Sequence, residues 1–79
     1  MISYAPFFRT MKLRNTNEYT LIHYHGVSSN TFHRIRHGEG ISTLTVNKFC
    51  EILDCEVKDI IEYVKNEEGT EAMEPATKD

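Results

Sequence analysis

Between Ser28 and His37 the chain reads Ser-Ser-Asn-Thr-Phe-His-Arg-Ile-Arg-His. Short polar and basic side chains surround only two apolar ones. Wound as a helix, this run puts Phe32 and Ile35 on one stripe and Ser29, Asn30, His33, Arg34 and His37 on the exposed side. These groups suit the reading of base edges in a DNA groove. Asn pairs bidentately with adenine, Arg with guanine, and Ser with several bases, a good bidentate pair being worth ~1–3 kcal/mol of discrimination. His33 can donate to guanine or to a phosphate. Helix capping alone accounts for Ser28 and is an alternative for Ser29 and Asn30. It does not account for a polar face that continues through Thr31, His33 and Arg34. For Arg34 the bland alternative is simple solvation. For Arg36, an ion pair within the chain and a contact to DNA stand level.

Other chemistries find less support. His33 and His37, four apart on one helix, have a spacing that can hold zinc, but no third or fourth ligand is evident beside them. His23 and His25 are two apart and point different ways on a helix. There is no glycine-rich phosphate loop and no recognisable Ser–His–acid motif, so neither an enzyme nor a cofactor is expected. Two cysteines, Cys50 and Cys55, are too few for a disulfide scaffold. They read as reduced, packed thiols, with a redox switch as the alternative.

Five helices are expected to position the reading residues. The first spans Met1 to Arg14, capped by Ser3, with Pro6 in its first turn and Tyr4, Phe7, Phe8 and Met11 facing the core. Asn17 caps a second helix running to about His25, with Leu21 as its main core residue, helped by Tyr24. Gly26 supplies the left-handed turn. Ser28 caps the third helix, which ends at Gly38. Ser42 caps a fourth, with Val46, Phe49, Cys50 and Leu53 at i, i+3, i+4 and i+7. Asp54 and Cys55 break the chain, and Val57, Ile60, Ile61 and Val64 repeat the helical spacing in a shorter fifth helix. No strand pattern is evident. Residues 1–65 form the expected domain. Residues 66–79, Asn-Glu-Glu-Gly-Thr-Glu-Ala-Met-Glu-Pro-Ala-Thr-Lys-Asp, are expected to be a disordered acidic tail, because they have too little apolar surface to offset ordering entropy.

The 79-residue length allows one domain with a thin core. No apolar run approaches the ~18 residues that cross a membrane, and the N-terminus lacks the layout of a signal peptide, so a cytoplasmic protein is expected. Net charge is −3, an unpromising sign for a nucleic-acid binder. However, Glu62, Glu67, Glu68, Glu71, Glu74 and Asp79 face only Lys65 and Lys78, which puts −4 in the last 18 residues and leaves +1 for the preceding 61. The histidines, Arg34 and Arg36 all lie between His23 and His37.

Taken together, these motifs resemble the small Cro and phage-repressor type (XRE family) of helix-turn-helix regulators. More narrowly, the chain is similar to a bacterial group that opens with Ile2-Ser3-Tyr4-Ala5-Pro6-Phe7 and closes with Asp54-Cys55 and then Asp59-Ile60-Ile61-Glu62-Tyr63. Between these segments lie Gly26-Val27-Ser28-Ser29-Asn30-Thr31 and Leu44 to Leu53. The resemblance covers residues 1 to about 65. It implies an all-α, compact five-helix DNA-binding domain of a bacterial or phage transcriptional regulator, with a repressor as the type example. Ser29, Asn30, His33 and Arg34 would contact bases. Asn17 and Glu18 fall at the family's backbone positions, and Leu21, Val27, Phe32 and Ile35 at its core positions. We also expect Ser28, Thr31, Arg36, His37, Ser42 and Thr43 at the DNA backbone, with the free amides after Asn17 binding a phosphate. Ile22 and His25 stand where the wider family usually has a small and an apolar residue. Glu18 and Glu39 place acids near the phosphates. The expected partners are double-stranded DNA and a second copy on it, since one short helix reads few bases. The alternative is an antitoxin or adaptor that uses the same fold to bind another protein.

Overall fold

The computed structural model describes residues 1–65. The expected tail, residues 66–79, lies outside them. The elements run β1 (Ile2–Ser3), α1 (Ala5–Leu13), α2 (Glu18–His25), α3 (Ser29–Arg36), α4 (Thr43–Leu53), a single 3-10 turn (Val57–Asp59) and β2 (Glu62–Tyr63).

Local chemistry explains the helix boundaries. The side chains of Asn17, Ser28 and Ser42 accept the amides of Thr20, Asn30 and Thr45, as N-caps do. Three helices end on the same left-handed step, at Asn15 (φ 57°), Gly38 (φ 71°) and Asp54 (φ 52°). The amides of Thr16, Glu39 and Cys55 then return to the carbonyls of Met11, Arg34 and Cys50, which satisfies acceptors the helix itself leaves open. Gly26 (φ 73°) ends α2, and the Val27 amide reaches back to the Leu21 carbonyl.

The core is built on three rings. Phe7, Phe32 and Phe49, from α1, α3 and α4, are fully buried with centroids 4.5–6.2 Å apart. Leu21 and Ile60, also without exposed surface, close the two sides. Side chains then tie distant segments together. The Tyr4 hydroxyl donates to the Glu39 carbonyl (2.6 Å), Thr10 to the Asp59 carbonyl (2.8 Å), and Arg14 to the carbonyls of Leu53 and Asp54 at the end of α4 (2.7 and 2.8 Å).

The ends of this unit differ from the expected five-helix bundle: among the described residues there are four α-helices, and the expected fifth is replaced. Val57–Asp59 makes one 3-10 turn, after which Glu62–Tyr63 pairs antiparallel with Ile2–Ser3 (Ile2 opposite Tyr63, Ser3 opposite Glu62). Met1 and Val64 extend this ladder with two further backbone bonds. The aromatic Tyr63 and β-branched Val64 suit the extended pairing. The same pairing takes Ile2 and Ser3 out of the first helix, which starts at Ala5, with Tyr4 in the cap position; Ser3 instead accepts the Ala5 amide (3.1 Å).

Two expected core residues also lie outside. Phe8 is 43% exposed, because the buried stripe of α1 runs through Tyr4, Phe7, Thr10 and Met11. Tyr24 is 74% exposed: the inner face of α2 is centred between Leu21 and half-buried Ile22, about a third of a turn away. Cys50 and Cys55 are free and half-buried. Burial, reinforced by Cys50 and Asp59, pushes the Cys55 thiol up to about 11. Among the described residues, no helix is long and apolar enough to cross a membrane.

Candidate nucleic-acid interface

Phe32 and Ile35 anchor α3 in the core and thereby fix which side of it faces solvent. Ser29, Asn30, His33, Arg34 and His37 are all exposed, whereas Thr31 is half-buried. The Ser28 cap keeps the first turn of α3 formed up to its polar end. The His33 and His37 rings lie 4.2 Å apart, and His37 Nδ1 meets the His33 carbonyl at 2.9 Å. Among the described residues, no group of three or more His, Cys, Asp or Glu side chains could hold a metal.

Arg34 borders an open cleft of about 300 Å³ between α3 and the start of α4, which Thr31, Ser42 and Thr45 also line. Its guanidinium stands 4.0 Å from Glu39, with both side chains about half exposed. That separation leaves the guanidinium's donors open to another acceptor. The cleft therefore gathers Thr31, Arg34 and Ser42. Thr43, one step further along α4, lines different hollows on the other side of its first turn.

Arg36 behaves differently. Both of its terminal nitrogens donate to Glu18, at 2.9 and 2.8 Å, in a bidentate pair between the end of α3 and the start of α2. Of the two expectations for Arg36, the intramolecular pair is the one formed. The pair also neutralises one of the acids near the anticipated backbone contacts. Asn17 spends its side-chain carbonyl on the Thr20 amide, while its amino group and the other first-turn amides of α2 have no helical acceptor to meet.

Sequence reasoning missed two features here. Tyr19, 62% exposed, stacks on His23 with ring centroids 4.1 Å apart on the open side of α2. The i, i+4 spacing of these two rings was the available signal. Lys48 reaches across from α4 to the Gly26 carbonyl (3.4 Å) and holds the end of α2, a long-range contact without a local signature. His25, in the position where an apolar residue was anticipated, is exposed.

The whole is two short helices joined by a tight turn at Gly26, with the second presenting a polar flank. A family model for the Cro/C1-type HTH DNA-binding domain matches residues 9–66. The crystal structure of the transcriptional regulator VanUg, Form II, is similar to this chain with a TM-score of 0.74 and 29% identity, covering 82% of this chain and 87% of that one. No curated protein matches the chain.

Proposed function

The chain belongs to the Cro/C1-type helix-turn-helix DNA-binding domain family, and from that membership we propose that it is a transcriptional regulator that binds double-stranded DNA sequence-specifically, reading the major groove with α3. The likeness to a structure described as a transcriptional regulator supports the same class. The observation that carries the reading is the exposed flank of α3, held outward by buried Phe32 and Ile35.

In this reading Ser29, Asn30, His33 and Arg34 meet base edges. Asn17, Ser28, Thr31, His37, Ser42 and Thr43 sit along the sugar-phosphate chains, with Arg36 held back by Glu18 until a phosphate competes for it. The helix starts at Asn17 and Ser42 add amide donors and the positive end of a helix dipole, which favour phosphate oxygens. A second copy doubles the sequence that is read.

Selection of bound fragments from a random duplex pool tests this directly. The wild-type chain should enrich a defined half-site. Asn30→Ala and Arg34→Ala should each lower the preference for that site by roughly 5- to 150-fold, the equivalent of losing one bidentate base pair contact. Asn17→Ala should weaken every duplex about equally. A pool that emerges without any enriched sequence defeats the proposal.

The net charge of −3 favours a second reading, in which the fold serves as an antitoxin or adaptor whose main partner is another protein. Phosphate contacts make log K fall steeply with log salt. A flat salt response beside a tight protein complex would favour that reading.

A further inference from the structure

Three helices end on one backbone motif, and each time it brings the same two positions together. The amide after the left-handed residue returns to a carbonyl five positions back: Thr16 to Met11, Glu39 to Arg34 and Cys55 to Cys50. In this ending the side chains of the two residues commonly meet. At the end of α3 they do so as Arg34 and Glu39, whose charged groups stand 4.0 Å apart. At the end of α4 both are thiols, and the same geometry then carries a different chemistry.

The Cys55 amide meets the Cys50 carbonyl at 3.1 Å. With standard backbone dimensions that bond keeps the two Cα atoms within about 7 Å of each other. A disulfide closes without moving the chain when they are about 4.4–6.8 Å apart. The sulfurs are close enough to act on one another: burial first, then Cys50 and Asp59, push the Cys55 thiol up to about 11. Both residues are half-buried and line one open hollow of about 680 Å³, so a small reagent can reach them from solvent. Among the described residues no set of three or more His, Cys, Asp or Glu could hold a metal ion, so the two thiols stand as a pair and not as part of a metal centre.

We infer that Cys50 and Cys55 form a dithiol–disulfide site, closed by low-molecular-weight disulfides and reopened by thiols, that latches the end of α4 to the segment leading into the 3-10 turn. The Cys50 thiolate attacks one sulfur of the small disulfide, and one small thiolate leaves and takes up the proton that Cys50 gave away. The Cys55 thiolate then attacks the Cys50 sulfur of the mixed disulfide, and the second small thiolate leaves with the Cys55 proton. Two cysteine thiols are oxidised and one small disulfide is reduced to two thiols. Cys55 is the resolving partner because it stays protonated at neutral pH. Its scarce thiolate is offset by being held beside the sulfur it attacks. The ring encloses only six residues, so the latch stabilises the fold modestly.

The full chain, first reduced and then equilibrated in buffers of graded oxidised-to-reduced glutathione, tests the inference. Trypsin cuts after Lys48 and Lys58, so both cysteines leave in one peptide, residues 49–58. The expected product is that peptide with an internal disulfide, lighter than its reduced form by two hydrogen atoms and inert to alkylation. The urea midpoint of the oxidised chain should rise by about 1 M and return on reduction. Cys55→Ser should stop at the mixed disulfide on Cys50, a species through which the wild-type chain passes without accumulating it. Should circular dichroism show the serine variant unfolded, Cys55→Ala keeps the apolar contact and gives the same reading. A wild-type chain that accumulates glutathione on either cysteine, links to a second chain, or keeps both thiols in the most oxidising buffer overturns the inference. So does a disulfide that lowers the urea midpoint, because it would have closed only by breaking the ending of α4.

Discussion

Glu18 and Arg36 form an exposed ion pair between the start of α2 and the end of α3. The pair is bidentate, yet both side chains keep substantial exposure, so it contributes at most about 1 kcal/mol to stability. In the proposed DNA complex it would withhold a guanidinium from phosphate while masking a carboxylate that would otherwise repel it. Glu18→Gln is therefore expected to release Arg36 and tighten binding to all duplexes at low salt, steepening the slope of log K against log salt by about 0.9, the increment for one added phosphate contact. The enriched half-site should not change, since no base-reading group has moved. An unaltered salt slope in a fluorescence-anisotropy titration would show that Arg36 stays clear of the backbone. The sequence left this side chain between two roles because Glu18 is eighteen positions away, and only the packing of α2 against α3 brings the two together.

At the scale of the element, capping governs how the two helices of the reading unit meet. Gly26 holds φ at 73°, a conformation that costs an L-residue roughly 1–2 kcal/mol. A methyl group built there would touch only the end of the Lys48 side chain, at 3.8 Å, which is ordinary contact. Gly26→Ala should therefore destabilise the fold by about 1–2 kcal/mol through backbone strain alone, as measured by urea denaturation. Ser28→Ala should cost about 1 kcal/mol by removing the acceptor for the Asn30 amide. Such features were legible because they are local: Asn17, Ser28, Ser42, Gly26 and Gly38 act within a few residues of themselves. The replacement of the fifth helix was not. Val57, Ile60, Ile61 and Val64 do follow helical spacing. What takes Glu62 to Val64 out of a helix is pairing with Met1–Ser3, some sixty residues earlier, and a periodicity argument carries no information about that. Phe8 and Tyr24 were misplaced for a related reason. Spacing gives the stripe but not its centre, and the centre depends on which neighbouring helix arrives.

At the scale of the whole molecule, stability hangs on few residues. Among the described residues the hydrophobic core consists of eleven buried side chains, and Ile60 is the only one of them contributed from beyond α4. It has no exposed surface, and beside it the Thr10 hydroxyl fastens the 3-10 turn to α1. A folded unit of ~65 residues has a total stability of roughly 3–10 kcal/mol. Truncating one buried isoleucine to alanine costs about 2–5 kcal/mol, the range reflecting how far the surrounding core can collapse into the space. Ile60→Ala should therefore remove a large part of the fold's stability, whereas Ile60→Val should cost only about 0.5–1.5 kcal/mol. If the terminal segment closes the same cooperative unit as the reading helices, circular dichroism and duplex binding will be lost together as Ile60→Ala is warmed. If instead DNA affinity persists after the signal of the terminal segment has melted, then the helix-turn-helix unit stands without its terminal clasp, and the pairing of β1 with β2 is an addition to the domain and not a condition of its folding.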